Sequence, residues 1–253
     1  MVAKDFCLYL SIFLLVFPLK LAFGSTAIDG IKDISQYPVT VDGGIRNTDD
    51  MPVNSDGGAT RGRCLQDPDV KPELMLLIPD RKEGLTVEKS PSFFVFVPQT
   101  KAKKGEFVLY DRTDKKLVYR TIFELSGVPG IISIQIPKDR EYLKINNNYE
   151  WRFSLYCKLN DDRSEDVIRV GLIKRVEPNG AIAKIQGNPN PLEKARVYQK
   201  NNLWYDALKT VAELRPTTGK NSNAATMWQE LLQAENLTEI VSYPLIDCCK
   251  PTN

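Results

Sequence analysis

The sequence predicts an α+β protein in which a sandwich of antiparallel β-strands is followed by a small helical unit. Three observations carry this expectation. Short apolar runs punctuated by turn residues fill positions 73–176. No helical stretch separates them, which favours antiparallel sheets over an α/β sheet. Within residues 149–159 the pattern alternates cleanly: Trp151, Phe153, Leu155 and Cys157 share one face, Arg152, Ser154 and Lys158 the other. After Glu177-Pro178 the apolar period changes from that of a strand to that of a helix.

The strands are expected in order at 74–78 (ending at Pro79), 93–97 (between Pro91 and Pro98), 106–110, 116–125, 131–136 (between Gly130 and Pro137), 149–159 and 167–176. Asp111-Arg112-Thr113-Asp114-Lys115 separates the third and fourth runs and reads as a hairpin turn. Leu143 stands six residues before Tyr149, across the turn Asn146-Asn147-Asn148. That spacing predicts a tyrosine corner, in which the phenol folds back to hydrogen-bond the corner backbone. On this reading the sandwich is immunoglobulin/fibronectin-like.

Three helical faces follow: Leu192, Ala195 and Tyr198; Leu203, Ala207, Leu208, Val211 and Leu214; then Met227, Trp228, Leu231 and Leu232. Pro191 suits a helix start, Pro216 a stop and Ser222 a cap. The register from Ala195 through Trp204 to Leu214 resembles one tetratricopeptide-like helical hairpin. Arrays of that motif need about three copies to stand alone. The expectation is therefore a single hairpin plus a third helix packed on the sandwich.

The organisation expected is a signal peptide at 1–24, a flexible linker at 25–63, the sandwich at 64–177, a helical appendage at 178–240 and a tail at 241–253. The leader has Lys4 in a short n-region, an apolar run at 6–17, Pro18, and the small-residue exit Ala22-Phe23-Gly24. The run falls short of the ~20 residues that span a bilayer, and Lys20 interrupts it. Residues 25–63 are rich in Gly, Asp, Asn, Ser and Pro. Their Asp/Asn clusters do not follow calcium-loop spacing.

Composition narrows the chemistry. The chain has 253 residues, 34 basic and 32 acidic, and no histidine. The near balance leaves no electrostatic footprint for nucleic acid. Without histidine there is no Ser–His or Cys–His pair, no imidazole base and no His-ligated metal. No catalytic, metal-binding or cofactor-binding residue stands out, and none is assigned. Past the leader the cysteines are Cys64, Cys157, Cys248 and Cys249. Three pairings are open to four cysteines; a Cys248–Cys249 bond would be a strained vicinal ring. Cys64 with Cys157 is the pairing expected, closing a loop of about ninety residues. The alternative is that Cys157 is a small buried apolar side chain.

The leading functional expectation is an exported, non-enzymatic periplasmic or cell-envelope protein that binds a protein partner, with Trp204, Tyr205 and Trp228 as interaction candidates or, alternatively, as core. A second is a carbohydrate- or peptidoglycan-binding sandwich using Tyr110, Tyr119 and Tyr156 as stacking platforms. A third, a hydrolase, needs two close carboxylates in one cleft. Arg169, Lys174 and Arg175 offer a basic stripe, or the ordinary charges of a solvated strand. Membrane contact is expected only through an uncleaved leader, and the oligomeric state is open.

An ordered set of motifs resembles a known family. It runs through Arg61-Gly62-Arg63-Cys64, Gly84-Leu85-Thr86, and Pro91-Ser92-Phe93-Phe94-Val95-Phe96-Val97-Pro98. Tyr119-Arg120-Thr121, Pro129-Gly130-Ile131 and Tyr149-x-Trp151-x-Phe153-x-Leu155-x-Cys157 follow. It ends with Val170-Gly171-Leu172-Ile173-x-Arg175, residues 203–208 and Trp228-x-x-Leu231-Leu232. These are similar to the domain-of-unknown-function 928 family, a mainly cyanobacterial group with no established activity. Leu172 stands where that pattern has Trp, and Cys248-Cys249 lies outside it. The resemblance implies an exported protein with two shared cysteines, Cys64 and Cys157.

Overall fold

The computed structural model describes residue 64 and residues 71–80, 83–158, 162–187, 190–215 and 222–247. The expected leader and linker, Pro216, the side chain of Ser222 and the pair Cys248-Cys249 lie outside these residues.

Two sheets carry the fold. One has the order β1 (Met75–Leu76), β3 (Ser92–Val97), β6 (Gly130–Gln135), β9 (Leu245–Ile246). The other has the order β2 (Gly84–Thr86), β8 (Val167–Arg175), β7 (Asn148–Leu155), β4 (Lys104–Asp111), β5 (Lys116–Glu124). The expected sandwich of antiparallel strands is present at its centre, but both sheets are mixed. The short edge strands β2 and β9 pair parallel to β8 and β6. Strands of two or three residues are too short for a period to register in sequence, and β9 falls in the segment expected as a tail.

Strand β3 explains its own unbroken apolar run: all six residues are buried. Successive side chains face opposite ways. Phe93 meets Phe107 and Trp151 at 4.8 and 4.9 Å, while Phe96, on the other face, meets Tyr243 at 4.5 Å. Strand β7 alternates as expected, with Tyr149, Trp151, Phe153 and Leu155 fully buried. It ends at Leu155, and Cys157 lies just beyond it.

The β4–β5 hairpin turns where the sequence places it. Asp111 Oδ1 accepts from the amides of Thr113 and Asp114 at 2.9 Å each, and Lys115 takes a left-handed conformation (φ 51°). The tyrosine hydrogen bond also forms: the Lys144 amide donates to the Tyr149 hydroxyl at 2.7 Å, with Asn146 left-handed (φ 65°) in the turn. Burial pushes the Tyr149 phenol up to about 12.

The basic stripe does not exist. Residues 169 and 175 lie on one side of β8 and residue 174 on the other. Arg169 is buried, donating from Nε to the Leu74 carbonyl at 3.0 Å and pairing with Glu73 at 3.3 Å. Arg175 donates to the carbonyls of Val87 and Leu143 and pairs with Glu141. Both arginines tie loops to the sheet.

Four helices follow: α1 (Gly180–Gln186), α2 (Pro191–Lys200), α3 (Trp204–Leu214) and α4 (Ser222–Ala234), with a 3-10 turn at Thr238–Ile240. Helix α1 goes beyond the sequence expectation; two apolar residues, Ile182 and Ile185, give it too little pattern to read. Among the described residues no helix is long and apolar enough to cross a membrane.

A disulfide joins Cys64 to Cys157, Cα atoms 4.8 Å apart, across 93 residues. The Cys64 carbonyl also accepts from the Lys101 amide and the Thr100 hydroxyl, both at 2.8 Å. Closing so long a loop restricts the unfolded chain, so Cys64→Ser should lower unfolding stability by about 2–5 kcal/mol in chemical denaturation, and two fewer thiols should appear on reduction. Tyr149→Phe removes the acceptor of the Lys144 amide and should lower stability by about 0.5–1.5 kcal/mol.

Candidate functional site at the junction of sandwich and helices

Helix α3 is held against the sheets by consecutive side chains of its first turn. Trp204 donates from Nε1 to the Leu77 carbonyl at 2.9 Å. The Tyr205 hydroxyl accepts from Trp151 Nε1 at 2.8 Å and donates to the Leu172 carbonyl at 3.1 Å. The approach is close enough to require glycine at two strand positions: a Cβ at Gly171 would stand 2.7 Å from Trp151 Nε1, and one at Gly84 would collide with the Tyr205 ring. Burial, relieved only in part by the Trp151 hydrogen bond, holds the Tyr205 phenol far above its ordinary value.

The third side chain, Asp206, is buried against β2. Its Oδ2 accepts from the Val87 amide at 3.3 Å, and Oδ1 has no hydrogen-bond partner. Burial pushes its carboxyl up to about 7; the charge of Glu88 adds to the rise, while Thr86 and the Val87 amide oppose it. Tyr198 on α2 is pushed up to about 12 by its own burial, then by the charges of Asp206 and Glu88.

The three aromatic interaction candidates are thus core. Trp204, Tyr205 and Trp228 expose 5, 1 and 1 % of their surface. Of the two readings open for them in sequence, core is the one that fits this burial: the polar tips of Trp204 and Tyr205 bond the chain's own strands and loops, and Trp228 is buried with them. What α3 presents to the sandwich is a helix face of aromatics, which sequence alone does not distinguish from a face presented to a partner.

Beside Trp204 lies a cleft of about 60 Å³, whose polar lining is Glu83, Gln199, Asn202 and Glu235. Glu83 is raised by burial against the pull of Lys174 and Arg112, and Glu235 accepts from the Asp80 amide at 2.9 Å. The cleft thus brings two carboxylates together, yet ligand pockets run to about 300–1,000 Å³, so it is too small to enclose a sugar ring. Among the described residues no group of three or more Asp, Glu or Cys stands in metal-binding geometry.

The stacking candidates fare differently from one another. Tyr119 packs on Tyr142 at 5.5 Å and on Phe107 at 6.3 Å. Tyr156 lies under Arg163, whose Cζ is 3.8 Å from the ring centroid and whose Nη1 donates to the hydroxyl at 2.8 Å. Tyr110 stands on the outer face of the larger sheet, opposite Glu150.

That outer face carries a network the sequence reading missed. Glu106 on β4 is buried and is held by Arg163 (2.9 Å) and Arg120 (2.5 Å). Its burial raises the carboxyl, but the two guanidiniums outweigh it and leave it lowered. Arg163 also pairs with Asp166, whose Oδ1 accepts from the Cys157 amide at 3.2 Å. Partners separated by 57 residues leave no local signal. Asp206 did leave one, as the lone acid within the run Leu203-Trp204-Tyr205-Asp206-Ala207-Leu208.

Two outcomes are expected here. A carboxyl raised on folding contributes stability below its unfolded value of about 4 and loses it as pH rises through the folded value. Wild-type stability should therefore fall relative to Asp206→Asn between about pH 4 and 7, by up to about 4 kcal/mol, in denaturation at a series of pH values. Tyr205→Phe leaves the buried Trp151 indole N–H without its acceptor and should cost about 1–3 kcal/mol, with altered Trp fluorescence.

Among curated proteins none matches this chain. Residues 56–245, which include both bridged cysteines, strands β1 to β8 and all four helices, match the Domain of Unknown Function (DUF928) family, and the chain belongs to it.

Proposed function

We propose that the chain is an exported, non-enzymatic cell-envelope protein that binds a protein partner through the outer face of its five-stranded sheet. The observation that carries this reading is the composition of that face. The register sets Arg120, Val108, Arg152 and Val170 in one row across four strands, with Tyr110, Glu150 and Leu172 in the next. Ile168 extends the apolar positions on β8. Val108, Tyr110, Arg152, Ile168, Val170 and Leu172 are all half-buried, so their apolar surface is neither enclosed nor widely scattered. Tyrosine, arginine and aliphatic side chains in one flat patch are the composition of a protein interface.

Export is supported by the leader at 1–24 and by a disulfide that suits an oxidising compartment. The immunoglobulin-like reading is supported by the tyrosine corner and by the parallel pairing of β2 with the last long strand. The tetratricopeptide-like reading of α2 and α3 is supported by Ala195, Tyr198 and Ala207 buried between them. A glycan reading retains Tyr110 alone of its three aromatics.

Affinity capture from envelope extract tests the reading. Wild-type protein should retain a specific partner that the Val108→Glu/Val170→Glu protein loses, with unchanged far-UV circular dichroism. Equal retention by both proteins, or capture of nothing by either, contradicts it.

A further inference from the structure

Among the described residues three buried side-chain polar atoms lack a hydrogen-bond partner, and two of them belong to one contact. They are Nη1 of Arg215 and Nε1 of Trp228. The Arg215 guanidinium lies over the Trp228 ring, Cζ 4.6 Å from the centroid. Arg215 closes the C-terminal end of α3 and Trp228 sits in the middle of α4, so the pair is built on two helices, away from the α3 N-terminus that grips the sandwich.

The rest of the molecule shows how unusual the pair is. Trp151 and Trp204 both have acceptors, Tyr205 and the Leu77 carbonyl. Arg120, Arg152, Arg163, Arg169 and Arg175 each pair with a carboxylate. Arg215 has the Trp228 ring face but no carboxylate partner among the described residues, and burial lowers it. A guanidinium does not shed its proton in a protein. Indole and guanidinium are donors only, so what is missing is an acceptor. A water molecule satisfies the donors but leaves the charge uncompensated.

We propose that Arg215 and Trp228 form a binding site for a carboxylate, whose oxygens take the Arg215 Nη1–H and the Trp228 Nε1–H. One negative charge matches the single cation, whereas a phosphate dianion would carry an excess charge into a half-buried site. The guanidinium fork fits a planar carboxylate, and the indole face holds the fork in place. The same chemistry is offered by a small free carboxylate and by the C-terminus of a polypeptide.

The indole N–H resonances of ¹⁵N-labelled protein test this directly, with Trp228→Phe assigning the Trp228 peak. The probes, at constant ionic strength, are acetate, an N-acetylated alanine tripeptide with a free C-terminus, the same peptide amidated, and inorganic phosphate. The Trp228 peak should move downfield and saturate with the free carboxylates while the Trp151 and Trp204 peaks stay in place. Saturation with both carboxylates assigns the site to small acids as well; saturation with the peptide alone assigns it to a chain terminus. Arg215→Gln should weaken the effect roughly tenfold or more, its other two indole peaks reporting an intact fold. A Trp228 peak that ignores both carboxylates, moves equally in Arg215→Gln, follows the amidated peptide, or responds to phosphate alone overturns the proposal.

Discussion

The structure depends on one buried hydrogen bond, from the Trp151 indole to the Tyr205 hydroxyl. Trp151 stands on the inner face of the central strand β7, among Phe93, Phe107 and Leu109, where apolar neighbours give its N–H nothing to bond. A buried donor left unpaired costs about 1–3 kcal/mol. The acceptor comes from α3, and the same hydroxyl donates a hydrogen bond to the Leu172 carbonyl of β8. This relay works only where the chain comes close, hence glycine at 84 and 171. The helices therefore complete the sandwich core, and buried side chains from both form one continuous cluster.

Polar groups at this junction are balanced unevenly. Trp204 and Tyr205 are satisfied, while Asp206 beside them keeps one oxygen unpartnered and a raised carboxyl. Glu106 on the outer face is the opposite case, a buried carboxylate gripped by two arginines and linked through Arg163 and Asp166 to the disulfide end of the sheet. The first is expected to lower stability as pH rises from about 4 to 7. The second holds a carboxyl lowered by two guanidiniums within a hydrogen-bonded network on the outer face.

Local patterns were legible in sequence wherever one short window contained the physics. Strand β7 shows its alternation, the 111–115 turn its Asp-capped geometry, and Tyr149 its spacing from the corner. The disulfide was legible because the expectation of export, with four cysteines past the leader, left few pairings. Parallel edge strands of two and three residues were not, since their partners lie about ninety residues or more away in sequence and a two-residue strand has no period. Nor was the destination of the aromatics: Trp204, Tyr205 and Trp228 sit at helical spacing either for a partner or for the chain's own sheets. Gly84, where a Cβ would collide with the Tyr205 ring, marks one of these partners as internal, but only once the fold brings them together.

The central claim, that helices and sandwich share one core closed at Trp151 and Tyr205, is tested most directly by native-state hydrogen exchange. The Trp151 indole N–H should exchange with the same opening free energy as the β7 backbone amides, because freeing it requires undoing the whole core. Exchange of that indole through a distinctly cheaper opening, with the β7 amides still protected, would contradict the account and make the helices a separately docking unit.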